Sequence, residues 1–260
     1  MEYKAIIVEK LEDERIGTIT LNRPEQMNTF DTRLAQELNH SLREFDKDKS
    51  ILVVVIKGAG RSFCAGIDIT DFEGKSILEY REWIGMMDEM HQTIANMMKP
   101  VIASVHGYAV ANGAGLVAAC DLAVVSEDSK FGTTAINVGL FCMGPAVSLA
   151  RHMGKKRALE MLLRGNIIDA NTAERYGLVN KVVPKDKLEE ETMKLARELA
   201  SKSPVALQMG KKSFYSMWDM NFGDSLEYMG EVFARLCCTE DAQEGVKAFL
   251  EKRKPEWKER

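Results

Sequence analysis

The sequence is short of several things, and each shortage removes a class of protein. It has six prolines in 260 residues, with no Pro- or Ser-rich stretch and no low-complexity block, so no flexible linker divides it. The five cysteines, Cys64, Cys120, Cys142, Cys237 and Cys238, are odd in number and lack metal-type spacing. Cys237 and Cys238 are adjacent and make no CxxC, so all five read as reduced thiols in a reducing compartment. Neither sign of charge is in excess: 35 Lys+Arg face 39 Asp+Glu, for a net charge of −4. A binder of the phosphate backbone would be strongly basic, so no nucleic-acid partner is expected, while one small anion held locally is compatible. Met1-Glu2-Tyr3-Lys4 carries neither a signal-peptide core nor an Arg/Ser-rich transit pattern. The one long apolar stretch, 101–125, is interrupted by His106, Asn112, Asp121 and three glycines, so no membrane span is read. A soluble, cytoplasmic protein is the expectation.

What is present is a globular composition, 45% hydrophobic and 28% charged, enough for a full core in one large domain or one plus a small appendage. "RIGTITL" (15–21) alternates as a half-buried strand does. Asp31 is placed to cap a helix whose Leu34, Leu38, Leu42 and Phe45 share one stripe. "ILVVVI" (51–56) is apolar throughout, as a strand covered on both faces is. A helix near 76–98 leads to Pro100 and to the buried strands "VIASV" (101–105), "LAVV" (122–125) and "LVNKVV" (178–183). Beyond Pro184 helix follows helix, over 186–201, 204–219, 223–236 and 239–251. This order predicts an α/β core over 1–196, holding the site, and a helical region over 197–260. Met217, Trp218, Met220, Phe222, Tyr228, Met229 and Phe233 make the helical region too apolar to stand alone. They pack on the protein's own core, form a subunit interface, or do both.

Two segments share a design. "SFCAGIDI" (62–69) follows one buried strand, and "VHGYAVANGAGLVAACDL" (105–122) follows the next. Small residues where a strand feeds a helix leave backbone N–H groups uncovered, and a helix N-terminus adds positive partial charge. Singly, such a turn serves tight packing. Two of them facing each other would supply a pair of donors around one oxygen.

Together with "LNRPEQMNTF" (21–30), these segments resemble the crotonase superfamily, the enoyl-CoA hydratases and isomerases. "KFGTTAINVGL" (130–140), "GKKRALEMLLRGNIIDANTAERYGLVNKVVP" (154–184) and "GVKAFLEKRKPEW" (245–257) agree, so the likeness runs the length of the chain. It implies an α/β spiral of repeated ββα units with a C-terminal helical region that drives trimerisation, often to a dimer of trimers. The implied substrate is an acyl-CoA thioester of fatty acid metabolism, with no cofactor beyond the CoA ester itself. Its carbonyl oxygen would be held by the backbone amides of Ile67 and Asn112. Ala65, Gly66, Asp68 and Ile69 would lie along the acyl-CoA, with Asp68 capping or orienting the turn. Phe249 and Lys252 match positions that approach the CoA nucleotide from a neighbouring subunit. Without the likeness, Lys252 reads as a solvated helix end.

The chain departs from the pattern where the chemistry is decided. A hydratase of this superfamily carries one Glu closing "GYAxGGGxE" and another closing "FGxPE"; the aligned residues here are Gly115 and Ala135. Neither can carry a proton, and general acid–base help is worth roughly 100- to 10,000-fold in rate. Two-glutamate hydration is therefore not supported. The second donor position holds Asn112 instead of the usual Gly, and the usual "PGxGG" turn reads "FCMGPA" (141–146). Cys142 in that turn is a candidate nucleophile or base, or an inert buried thiol. His91, in "MHQTI", is a candidate at the acyl end, or a satisfied core or surface histidine. Thr133, Thr134 and Asn137 can order a water but are not bases, His106 is expected to hydrogen-bond locally, and Asp121 reads as a helix-end or strand-start residue.

Two functions stay open on the sequence. One is an acyl-CoA enzyme of the enoyl-CoA hydratase/isomerase type that stabilises a thioester enolate or adduct. The other is a non-catalytic acyl-CoA-binding or scaffold protein that kept the pocket. RNA binding is disfavoured because "HSLREFDKDKS" (40–50) mixes charge signs instead of presenting a basic face.

Overall fold

The computed structural model describes residues 2–70 and 72–260. β1 (Ile6–Leu11) and β2 (Ile16–Leu21) pair antiparallel. β3 (Val53–Gly58), β4 (Val101–Val105), β6 (Leu122–Ser126) and β9 (Lys181–Val183) then add in parallel to β2. The result is a six-stranded sheet in the order β1-β2-β3-β4-β6-β9. A parallel pair needs a crossover, and α1 (Thr32–Lys47) and α2 (Ile77–Asn96) provide two of them. The Asp31 side chain accepts from Leu34 N–H at 2.7 Å and starts α1. Ser76 and Glu79 form a reciprocal capping box that starts α2.

The apolar run before Gly58 is continuous because both faces of β3 are covered. Val54 and Ile56 join Leu34, Leu38, Leu42 and Ile94 of α1 and α2 in the main core. Val53 and Val55 meet Met193 and Ala196 of α6 (Leu188–Ala200) on the other face. Ile51 and Leu52 are buried but precede the strand, and of "LVNKVV" only 181–183 pairs.

A second, three-stranded sheet of β5 (Tyr108–Val110), β7 (Lys130–Gly132) and β8 (Ile167–Asp169) lies outside the sequence expectation. Strands of three residues are too short to show alternation. α3 (Asn112–Ala119) leaves β5 directly, and all eight of its residues are buried. α4 (Met143–Arg164) changes direction at Gly154, and α5 (Ala170–Arg175) leads toward β9.

The helical region is α7 (Pro204–Met217), α8 (Phe222–Cys237) and α9 (Glu240–Leu250). α6 runs on to Ala200, so a boundary after residue 196 falls inside a helix; the chain turns at 201–203. α7 is tied to the core through Asp121. That carboxylate takes Lys211 Nζ at 2.7 Å, Tyr215 Oη at 2.9 Å and the Val101 amide at 2.7 Å. α8 buries no residue and leaves Phe222, Leu226 and Phe233 in solvent.

Candidate active site

The expectation of two strand-to-helix turns is half met. Asn112 opens α3, but among the described residues no helix follows Ile67 until Ile77. Phe63 and Cys64 pair with the segment 106–110, which includes β5, instead. Cys64 N–H donates to the Tyr108 carbonyl and its own carbonyl accepts from Val110, a parallel bridge between Cys64 and Ala109. Three residues further on lie Ile67 in one segment and Asn112, the first residue of α3, in the other.

On the other edge, a bridge to Phe30 uses the Gly66 carbonyl and the Asp68 amide. Successive peptide groups of an extended chain point to alternate sides. The Ile67 N–H is therefore turned away from Phe30. Among the described residues, neither the Ile67 nor the Asn112 amide donates to a protein acceptor.

Glycine is required for this approach. Gly66 has φ +108°, and a Cβ there would lie 3.0 Å from Ala111 Cβ and 4.0 Å from Asn112 N. A Cβ on Gly113 would lie 2.1 Å from the Cys64 carbonyl oxygen. Between them Ala111 holds φ 49° and ψ −117°, a conformation unfavourable for a residue with a side chain. Asp68 is fixed by Arg23 at 2.9 Å and by Thr70, and burial opposes but does not cancel their lowering of its pKa. Ala65 donates to the Met27 carbonyl, and Ile69 is exposed beside the turn.

Gly115 does not border empty space. A Cβ on Gly115 would lie 2.9 Å from Pro145 Cγ and 3.2 Å from His91 Cε1. His91 thus fills the room that a longer side chain would take, with Nδ1 2.8 Å from Ser148 Oγ. Its Nε2 is buried without a partner among the described residues. Burial pushes its pKa down to about 4, so the ring is neutral near pH 7. Cys142 is the N-cap of α4, and burial pushes its thiol pKa up, opposite in direction to what a reactive thiolate needs. Ala135 lies in a 3-10 turn over 134–138 and packs against the core.

Asp88, which the sequence did not single out, sits among these residues. Its carboxyl accepts from Asn112 Nδ2 at 3.3 Å. A Cβ on Gly144 would lie 2.2 Å from all three carboxyl atoms, so Asp88 is pressed against the first turn of α4. Burial is the dominant influence and pushes its pKa up to about 6. The signal that was available is an acid three residues before His91 on α2, but Glu82 and Glu89 are acids on the same helix. Only the fold distinguishes them.

The remaining candidates have structural partners. Thr133 Oγ1 donates to the Met161 carbonyl, Asn137 Nδ2 to Gly165, and His106 Nε2 lies 2.9 Å from the Gly60 carbonyl. Phe249 is exposed near the end of α9 and Lys252 just follows it. α9 packs chiefly against α7 and α8. Among the described residues no cluster of three or more His, Cys, Asp or Glu is arranged to hold a metal ion. Among them, too, no helix is long and apolar enough to cross a membrane.

This architecture has close counterparts. A family model described as enoyl-CoA hydratase/isomerase matches residues 12–260. The "Probable enoyl-CoA hydratase" of Rhizobium meliloti is 36% identical over 263 residues, covering 100% of both chains. Human mitochondrial enoyl-CoA hydratase domain-containing protein 3 is 37% identical over 243 residues, 93% of this chain and 80% of that one. The crystal structure of an enoyl-CoA hydratase of Mycobacterium smegmatis superposes with a TM-score of 0.95 at 36% identity, covering 98% of this chain and 99% of that one. The human domain-containing protein 3 superposes with a TM-score of 0.93 at 36% identity, covering 98% and 100%. Matched in sequence over residues 12–260 and in fold over nearly its whole length, the chain belongs to the enoyl-CoA hydratase/isomerase family.

Proposed function

We propose that the protein is an acyl-CoA enzyme that holds the thioester oxygen between the Ile67 and Asn112 amides and stabilises the negative charge that forms there. The observation that supports this reading is the close approach of the two segments: Cys64 bridges Ala109, a Cβ on Gly66 would lie 4.0 Å from Asn112 N, and among the described residues neither the Ile67 nor the Asn112 amide has a protein acceptor. Such donors act strongly because they are fixed before the charge develops, and removing one typically costs roughly 3–4 kcal/mol in barrier. Ala65, Gly66, Asp68 and Ile69 line the approach of the acyl-CoA. Gly115 and Ala135 carry no carboxylate, so the reaction is something other than two-glutamate hydration. The reading needs no cofactor beyond the thioester.

Exposed Phe222, Phe233 and Phe249 support assembly into a homotrimer or a dimer of trimers, with Phe249 and Lys252 meeting the CoA nucleotide of a neighbour. Five unpaired thiols, with Cys237 and Cys238 exposed, fit work in a reducing compartment such as the cytoplasm.

The test is calorimetric binding and mass-spectrometric turnover of saturated, enoyl- and 3-hydroxyacyl-CoA esters. Binding with turnover of at least one ester is expected. Absence of binding overturns the reading, and binding with no chemistry on any ester leaves the scaffold alternative that Gly115 and Ala135 favour.

A further inference from the structure

We propose that Asp88 is the proton-transfer group of this site, taking a proton from the carbon next to the thioester carbonyl of a bound acyl-CoA. The inference rests on the acyl-CoA reading above and assigns it the base that Gly115 and Ala135 cannot supply.

The Asp88 carboxyl lies between the first residue of α3, through Asn112 Nδ2 at 3.3 Å, and the first turn of α4 at Gly144. Asn112 is the residue whose amide faces the thioester oxygen in that reading. The carboxyl is thereby tethered one side chain from the developing charge. Gly144 permits the approach, since any side chain there would occupy the carboxyl's own place.

This carboxylate is also poorly satisfied. Other carboxylates in the body of the protein are saturated by donors. Glu37 takes the Lys4 and Ala5 amides. Asp46 takes the Met98 and Lys99 amides. Asp241 takes Ser203 and the Lys258 and Glu259 amides. Among the described residues Asp88 accepts one long hydrogen bond and has no cation within ion-pair distance. A structural carboxylate collects donors; one left short of them keeps its basicity. Burial accordingly pushes its pKa up to about 6, so above that pH the free base is present while its proton affinity stays high.

The other titratable groups at this place are unsuited. His91, one turn on along α2, has Nδ1 committed to Ser148 and its pKa pushed down to about 4. The thiol of Cys142, at the start of α4, is held neutral by burial.

The step balances without a co-reactant. An Asp88 carboxyl oxygen forms the O–H bond as the C–H bond at the α-carbon breaks. The C–H electron pair moves into the thioester, and the resulting oxyanion faces the Ile67 and Asn112 amides. Protonated Asp88 then returns the proton to the α-carbon, or to the γ-carbon of a β,γ-unsaturated chain, which shifts the double bond. One carboxyl serves both halves.

The test uses the full-length protein in D2O with butyryl-CoA and but-3-enoyl-CoA. Deuterium uptake and double-bond shift are read by mass spectrometry and NMR, and binding by calorimetry. We expect the wild-type protein to exchange the α-protons, with a rate that rises through an inflection near pH 6. We expect Asp88→Asn to bind both esters within about threefold of wild type, yet to lose exchange by about 100-fold or more and to lose the inflection. Exchange by Asp88→Asn at the wild-type rate overturns the proposal. So does wild-type protein that binds either ester without exchanging it, or that exchanges without the inflection. Wild-type protein that binds neither ester refutes the acyl-CoA reading itself, a separate failure.

Discussion

Asp88→Asn has a consequence for stability that is independent of any substrate. Burial raises the carboxyl from 3.8 to about 6 in the folded protein. Between those values the unfolded chain has released a proton that the folded chain still holds, so stability falls as pH rises across that window. A tenfold difference in proton affinity between the two states is worth about 1.4 kcal/mol, which gives about 3 kcal/mol of destabilisation at pH 7, about 1.5 at pH 5, and little below the unfolded value. Solvent still reaches part of the carboxyl, so about half of each figure is the better expectation. Asparagine has nearly the same shape, keeps the acceptor for Asn112 Nδ2 and does not ionise. The variant is therefore expected to be more stable than wild type at pH 7 by about 1–2 kcal/mol. At roughly 2–4 °C per kcal/mol for a chain of this size, its melting temperature rises by about 2–8 °C. The gain shrinks at pH 5. Contributions from His91, Cys142 and unfolded-state histidines are common to both proteins and cancel in the difference. Paired calorimetric melts at pH 5, 6 and 7 are the assay. A variant less stable than wild type at pH 7, or a difference that does not change with pH, would refute the reasoning, because the carboxylate would then be stabilised by the fold.

Three further outcomes follow from other contacts. Placing a glutamate at 115 is not expected to give hydration, because Pro145 and His91 stand 2.9–3.2 Å from the new Cβ and leave no room for the longer side chain. Gly115→Glu is expected to cost about 3–5 kcal/mol, read as a fall in melting temperature, and a stable, hydrating Gly115→Glu/Ala135→Glu protein would contradict this. Lys211→Met leaves the Asp121 carboxylate, largely buried, with only the Val101 amide and the Tyr215 hydroxyl, so about 3–5 kcal/mol should be lost in a melt, partly recovered by adding Asp121→Asn. Cys142→Ala should leave the turnover of any accepted CoA ester within a few-fold of wild type in the mass-spectrometric assay, because a thiol kept neutral by burial is not a nucleophile.

Much of the frame was legible in the sequence, and the reason is local. "VIASV" is the strand over 101–105 because a run that is apolar at four of its five positions suits a strand covered on both sides. Asp31 and Ser76 start their helices because a side-chain oxygen satisfies a free amide within three residues. The small residues of "SFCAGIDI" and "VHGYAVANGAGLVAACDL" were legible as a shared design, and the structure uses Gly66 and Gly113 among them where the two segments approach closely.

Tertiary structure alone decided the rest, because it depends on residues that meet only after the chain has folded. The short strands β5, β7 and β8 carry no period of their own and exist through mutual pairing. Asp121 looked like an end-of-element residue until Lys211, 90 positions away, reached it. Gly115 looked like a gap until Pro145 and His91 filled it. Asp88 is one acid among several on an amphipathic helix; pressure from Gly144 and a single donor from Asn112 set it apart. Strand and cap signals are written in neighbouring residues, whereas the proton affinity of a carboxyl is set by whatever the fold packs around it.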